Sequence, residues 1–132
     1  MIDKLKIICF VMVGLLAVSV PLFAHHGNAA YDATKWVTVK GTVTDYVWAN
    51  PHVFVKFDGK DESGNTVHWI IEAQNPVSMT QIGWTKNTLK AGDEVEIEAM
   101  LAKNGNPIGF LGSASPTAPR KRIVINGKQF QP

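Results

Sequence analysis

Apolar and polar residues alternate with a period of two along most of this chain, the spacing of half-buried β-strands and not of helices. From Trp36 to Trp48, Val37, Val39, Val43 and Val47 fall on one face and Thr38, Lys40, Thr42 and Thr44 on the other, with Gly41 as the expected bend or bulge. Val53, Val55 and Phe57 alternate with His52, Phe54 and Lys56. After a turn region at Asp58 to Asn65, Val67, Trp69, Ile71 and Ala73 alternate with His68, Ile70 and Glu72, so these two runs read as a hairpin. Asn75-Pro76 has the order of a helix N-cap and its first residue, and Val77, Met79 and Ile82 continue one short helix towards Trp84. Val95, Ile97, Ala99 and Leu101 then alternate with Glu94, Glu96, Glu98 and Met100, and Asn104-Gly105 turns the chain into a strand at Ile108 to Gly112. Ser113 to Pro119 reads as a loop, and Arg122 to Ile125 with Asn126-Gly127 as a short terminal strand and turn. Three strands, one helix and two more strands is the element order of an OB-type five-stranded Greek-key barrel, an all-β class with one short helix. A β-sandwich is the alternative, and the helix between strands three and four argues against it.

Ahead of the strands stands a different pattern. Lys4 and Lys6 precede an uncharged apolar run from Ile7 to Val20, and Pro21 with Ala24 supplies the break and the small residue that a signal peptidase needs. The run is shorter than the roughly 20 residues that span a bilayer. The expected organisation is a signal peptide over 1–24, an N-terminal arm over 25–35 and the barrel domain over 36–132. Cys9, the single cysteine, leaves with the leader, and a cysteine-free mature domain suits an oxidising compartment such as the periplasm.

Charge narrows the partners. Of 13 basic and 11 acidic side chains, Lys4, Lys6 and Asp3 belong to the leader, so the mature chain is nearly neutral and carries no nucleic-acid footprint. After cleavage no membrane segment is expected. Enzyme signatures are missing: there is no nucleophile motif, no phosphate-cradling glycine loop and no His-Glu-x-x-His. A non-catalytic role is therefore expected. The Glu94, Glu96, Glu98 stripe reads as a solvated strand face, and Arg120-Lys121-Arg122 as a short basic loop end.

Two groups of residues carry candidate chemistry. Cleavage after Ala24 would begin the mature chain at His25, whose α-amino nitrogen and ring Nδ1 can close a chelate on copper, with His26 and then His52 or His68 to complete the set. Such binding needs deprotonated nitrogens and weakens below the imidazole pKa of about 6.5. The second group follows from strand parity. Pairing the apolar faces of the hairpin puts His52, His68 and Glu72 together on the other face. With Val55 opposite Trp69, His52 faces Glu72 and Lys56 faces His68; with Phe57 opposite Trp69, Asp58 faces His68. The alternation alone allows both. Asn50-Pro51 makes a rigid corner between the first two strands and would bring Trp48 and His52 to the rim of the usual OB ligand face. Trp69 reads as core and Trp84 as a plug for the barrel bottom.

The strings His25-His26-Gly27, Tyr31-Asp32, Lys40-Gly41-Thr42-Val43, Trp48-Ala49-Asn50-Pro51-His52, Trp69-Ile70-Ile71-Glu72 and Gly83-Trp84-Thr85 through Gly92-Asp93-Glu94-Val95 resemble an uncharacterised family of short exported bacterial proteins, a domain of unknown function. The resemblance covers most of the chain after the leader and fades over about the last dozen residues. It implies export and a compact β domain, and it implies no reaction. The sequence thus predicts a periplasmic, non-catalytic binding module with Trp48, Asn50, His52, His68 and Glu72 at its site. Its partner would be a small molecule, an envelope polymer or another periplasmic protein. The alternative is a periplasmic copper-binding or copper-delivery protein anchored by His25 and His26.

Overall fold

The computed structural model describes residues 30–112 and 122–130. The expected leader, His25, His26, the loop from Ser113 to Pro119, Arg120 and Lys121 lie outside the described residues. Within them the chain forms β1 (Tyr31–Val47), β2 (Phe54–Lys60), β3 (Thr66–Glu72), α1 (Pro76–Gln81), β4 (Glu94–Ala102), β5 (Ile108–Phe110), β6 (Ile123–Ile125) and β7 (Lys128–Gln129). The pairing runs β1-β2-β3-β5-β4, and β4 pairs back onto β1. This closes a five-stranded barrel in which β3 and β5 are parallel and the other pairs antiparallel. Closure leaves these five strands without a long open edge to aggregate.

The long first strand makes closure work, because its first half pairs with β4 and its second half with β2. Thr42 belongs to both ladders, opposite Asp58 on one side and Glu94 on the other. Gly41 sits at that bend, where a Cβ would run into the Asp58 carbonyl and lie 2.7 Å from the Phe57 ring. The bulge expected at Gly41 nevertheless lies further along. The register slips between Val43 and Asp45, so Val43 faces Phe57 while Tyr46 faces Val55. One extra residue reverses the parity. Tyr46 therefore packs against the core, and Val47, expected on the face of Val43, shares the outer face with its partner Phe54.

The barrel interior holds Val39, Val43, Val53, Val55, Phe57, Ile71, Val95, Ile97 and Ala99, the inward phase of the alternation. At one end α1 and the turn after it close the core. Asn75 caps the helix by accepting from the Ser78 amide at 3.0 Å, and Pro76 occupies the first turn. Met79 and Trp84 beneath it are each 1% exposed, which makes Trp84 the expected plug. Phe130 stands edge-on to its ring at 5.2 Å. The helix ends at Gln81, short of Trp84, because Ile82 and Gly83 leave helical geometry, Gly83 with φ of +82°.

At the two ends of β4 the structure departs from simple alternation. Met100, which the period assigns to a wet face with the glutamates, is buried on the outside of the barrel with Tyr31 and Phe110, flanked by Trp36 and Ile108. The start of β1 covers it. Tyr31 pairs with Ala102 after residues that bulge out between Tyr31 and Trp36, and Asp32 folds that bulge by accepting from the Thr34 amide and hydroxyl at 3.0 and 2.7 Å. At the other end of β4, β6 adds alongside it, with Ile97 opposite Ile123. Asn126-Gly127, both with positive φ (51° and 78°), turns β6 into β7.

Candidate functional site

The β2–β3 register decides which polar residues meet. Phe57 faces Trp69 and Asp58 faces His68, the second of the two registers that parity allows. Glu72 consequently lies opposite Phe54 and not opposite His52. The ladder continues beyond β2, the Val53 amide donating to the Gln74 carbonyl and the Ala73 amide to the Val53 carbonyl. His52 and Glu72 are therefore diagonal neighbours on the same outer face, within reach of side chains of their length.

They do meet. His52 Nδ1 lies 3.2 Å from Glu72 Oε1 and 3.0 Å from the Ala73 carbonyl oxygen. A carbonyl can only accept, so Nδ1 carries the proton and donates, and in the neutral ring Nε2 is left with its lone pair. No described residue hydrogen-bonds Nε2. The other Glu72 oxygen accepts from the Tyr31 hydroxyl at 2.7 Å. The Tyr31 ring stacks on Phe110 at 5.3 Å between centroids, and Phe110 is the β5 partner of Glu72. Burial, first, and then the bond to the Glu72 carboxylate and its charge push the Tyr31 phenol well above the usual tyrosine range. Tyr31 is thus a neutral donor at physiological pH. The His52 and Glu72 side chains keep 35% and 18% of their surface, so the cluster is ordered from behind and open in front.

A family model described as a family of unknown function, DUF6152, matches residues 12–111. The chain belongs to the DUF6152 family. The matched span takes in β1 to β5 and α1, which is the whole closed barrel, and ends before the β6–β7 hairpin. No curated protein and no solved structure matches the chain.

In this DUF6152 barrel the other expected site residues are spread out. Trp48 is half-buried against the core, its ring 6.0 Å from that of Tyr46, and caps the barrel more than it faces solvent. Asn50 is exposed, and its peptide bond to Pro51 is cis. His68 is at the far end of the hairpin, where Nδ1 lies 2.6 Å from Asp58 Oδ1 and 80% of the side chain is exposed. Along β3 it stands about 13 Å from Glu72, the length of roughly four strand residues. One expected site is therefore two: His52 with Glu72 near the Pro51 corner, and His68 with Asp58 at the opposite end.

Among the described residues no group of three or more His, Cys, Asp or Glu could hold a metal ion. His25 and His26, the anchors of the copper alternative, fall outside them. Alternation by itself misses Tyr31, Phe54 and Phe110. Tyr31 lies in the expected arm, where no period assigns a face, and its only signal is the Tyr31-Asp32 string. Phe54 and Phe110 are apolar residues on the polar phase, a signal of an outer face that is partly covered.

Proposed function

We propose that this protein is an exported, non-catalytic binding module built on an OB-type barrel, with its ligand face on the outer surface of β2 and β3 beside the Asn50-Pro51 corner. The strand order supports the OB reading: a bent first strand pairs with both β2 and β4, and the helix lies between β3 and β4. Export rests on the residue pattern of the first 24 positions. The observation that carries the function is the hydrogen-bonded relay from Tyr31 through Glu72 to His52, which leaves an imidazole nitrogen with its lone pair available on the outer face. A preorganised acceptor of this kind suits a ligand that presents a hydrogen-bond donor, with Phe54, 6.4 Å from the His52 ring, as apolar support.

The test is a titration of isotope-labelled protein with the small-molecule extract of the cell envelope, followed by NMR. Saturable shifts of the His52 ring signals are expected, with the accompanying backbone shifts lost in His52→Ala. Shifts confined to a part of the barrel away from His52 would sink this reading.

The copper reading keeps one supporting observation. A carboxylate and a carbonyl behind Nδ1, with Nε2 free, is how proteins orient a metal-bound imidazole. One imidazole is too few, so His25 and His26 would have to supply the rest. Cu(II) affinity should then fall sharply when one residue is added before His25, and equal affinity with and without it removes copper from consideration.

A further inference from the structure

At the other end of the hairpin a groove of about 540 Å³ opens where β1 leaves β2 after the Thr42–Asp58 pair. Its makers are Lys40, Thr42 and Glu94 on one side and Asp58, Lys60 and Trp69 on the other. Trp69, which its phase assigns to the core, packs against the core with one part of its ring and lines this groove with another. The reason is Gly59. A Cβ there would lie 3.2 Å from Trp69 Cδ1 and Nε1 and 2.5 Å from the Lys40 carbonyl, so the glycine lets the indole settle against bare backbone. The indole N–H donates to no described residue.

The polar groups around the indole are balanced. Two cations, Lys40 and Lys60, stand against two carboxylates, Asp58 and Glu94. Each already has a partner: Lys40 Nζ lies 3.0 Å from Glu96, Lys60 donates to Thr66 at 2.8 Å, Asp58 holds His68 at 2.6 Å, and Glu94 accepts from Thr42 at 2.6 Å. The four charges of the lining sum to zero, so the groove as a whole favours an ion of neither sign, although Lys60 and Glu94 are bonded to neutral hydroxyls. Spare hydrogen-bonding capacity is left, since an ammonium has three donors and a carboxylate about four acceptor sites. An indole flanked by two ammonium donors and two carboxylate acceptors matches a neutral molecule with one apolar face and a rim of hydroxyls. A pyranose ring has that shape, and the volume lies within the range of small-ligand pockets.

We propose that this groove is a second binding site, for a neutral pyranose sugar of one or two units stacked on Trp69. It is independent of the His52–Glu72 cluster and takes a different chemistry.

The experiment titrates labelled full-length protein with maltose, cellobiose and N,N′-diacetylchitobiose, with inorganic phosphate and p-cresol as charged and aromatic controls. A saturable shift of the Trp69 indole N–H signal with at least one disaccharide is expected. Trp69→Leu, which keeps apolar volume without a stacking face, should weaken that binding about tenfold, read there from the amide shift of the lining residue Gly59. Because Trp69→Leu also touches the core, the exposed double variant Thr42→Val/Lys60→Met provides a second measure, and several-fold weaker binding is expected there. His52→Ala should leave the sugar affinity unchanged. The proposal is overturned if no disaccharide moves the Trp69 signal, if only phosphate or p-cresol does, or if the double variant binds as tightly as the wild type.

Discussion

Tyr31 and Glu72 stand 41 positions apart, and the hydroxyl of one donates to the carboxylate of the other at 2.7 Å. The bond fastens the beginning of β1 to the end of β3 across the outer surface of β5. It also fixes the carboxylate that faces His52. Stability and the candidate site thus share one contact.

Tyr31→Phe isolates that contact, because the ring and its stacking on Phe110 remain while the hydroxyl is lost. The variant is expected to be about 1.5–3 kcal/mol less stable, the range for a hydrogen bond to a charged group. Urea denaturation should show a lower midpoint with an unchanged slope. An unchanged midpoint would mean that water replaces the hydroxyl without loss.

The His52 tautomer offers a direct reading of the relay. Nitrogen-15 spectra of the neutral imidazole should report Nδ1–H and a bare Nε2. The assignment should survive Glu72→Gln, since the Ala73 carbonyl still accepts. Finding the proton on Nε2 would contradict the geometry and weaken the proposed ligand face.

Both tyrosines should resist ionisation. Burial first, and for Tyr31 the Glu72 bond as well, raise Tyr31 and Tyr46 far above the usual value of 10.0. A raised folded-state value makes stability fully present below about pH 10 and lost as pH climbs further, because the unfolded chain releases its protons first. Tyrosinate absorbance is therefore expected to appear together with unfolding during an alkaline titration. Phenolate formed with the fold intact would show that one ring is open to water.

The acid limb belongs in part to Asp93. This buried carboxylate accepts from the Asn126 side chain at 2.9 Å and from the Lys90 amide at 2.9 Å. The Asn126 bond is the larger cause of a value below the usual carboxylate range. A depressed value contributes stability above about pH 4 that is lost as pH falls through the lowered value. Asn126→Gly keeps the positive φ of 51° and removes the side chain. It is expected to cost about 1–2 kcal/mol at neutral pH, with the difference from wild type shrinking in urea midpoints taken below about pH 4.

The alternation in β2 and β3 is enough to put His52, His68 and Glu72 on one face, and they do share it. It leaves two registers two residues apart, because both bury the same valines and keep the same parity. The turn selects one of them: the Asp61 amide donates to the Asn65 carbonyl at 3.0 Å and Asp61 Oδ1 accepts from the Ser63 and Asn65 amides, which closes the hairpin in phase with the Lys60–Thr66 pair. That choice pairs His68 with Asp58, while the distance between His68 and Glu72 is set by their spacing along β3. The bulge between Val43 and Asp45 escapes for a related reason: Thr44 has no signature like that of a glycine, and the slip is dictated by how β1 must coil to reach both β2 and β4.

The succession of strands and helix along the chain, the Asn75 cap, the Asn126-Gly127 turn and most of the inward phase of the core were determined by the sequence alone, since each depends on residues within a turn or a strand of one another. Tertiary structure alone decided that Tyr31 crosses to Glu72, that Phe110 and Met100 are covered from outside, and that Trp69 is shared between core and groove. Those contacts depend on the parallel adjacency of β3 and β5 and on the closure of β1 against β4. No local period encodes which distant strand will lie alongside, so it is barrel closure that assembles the site.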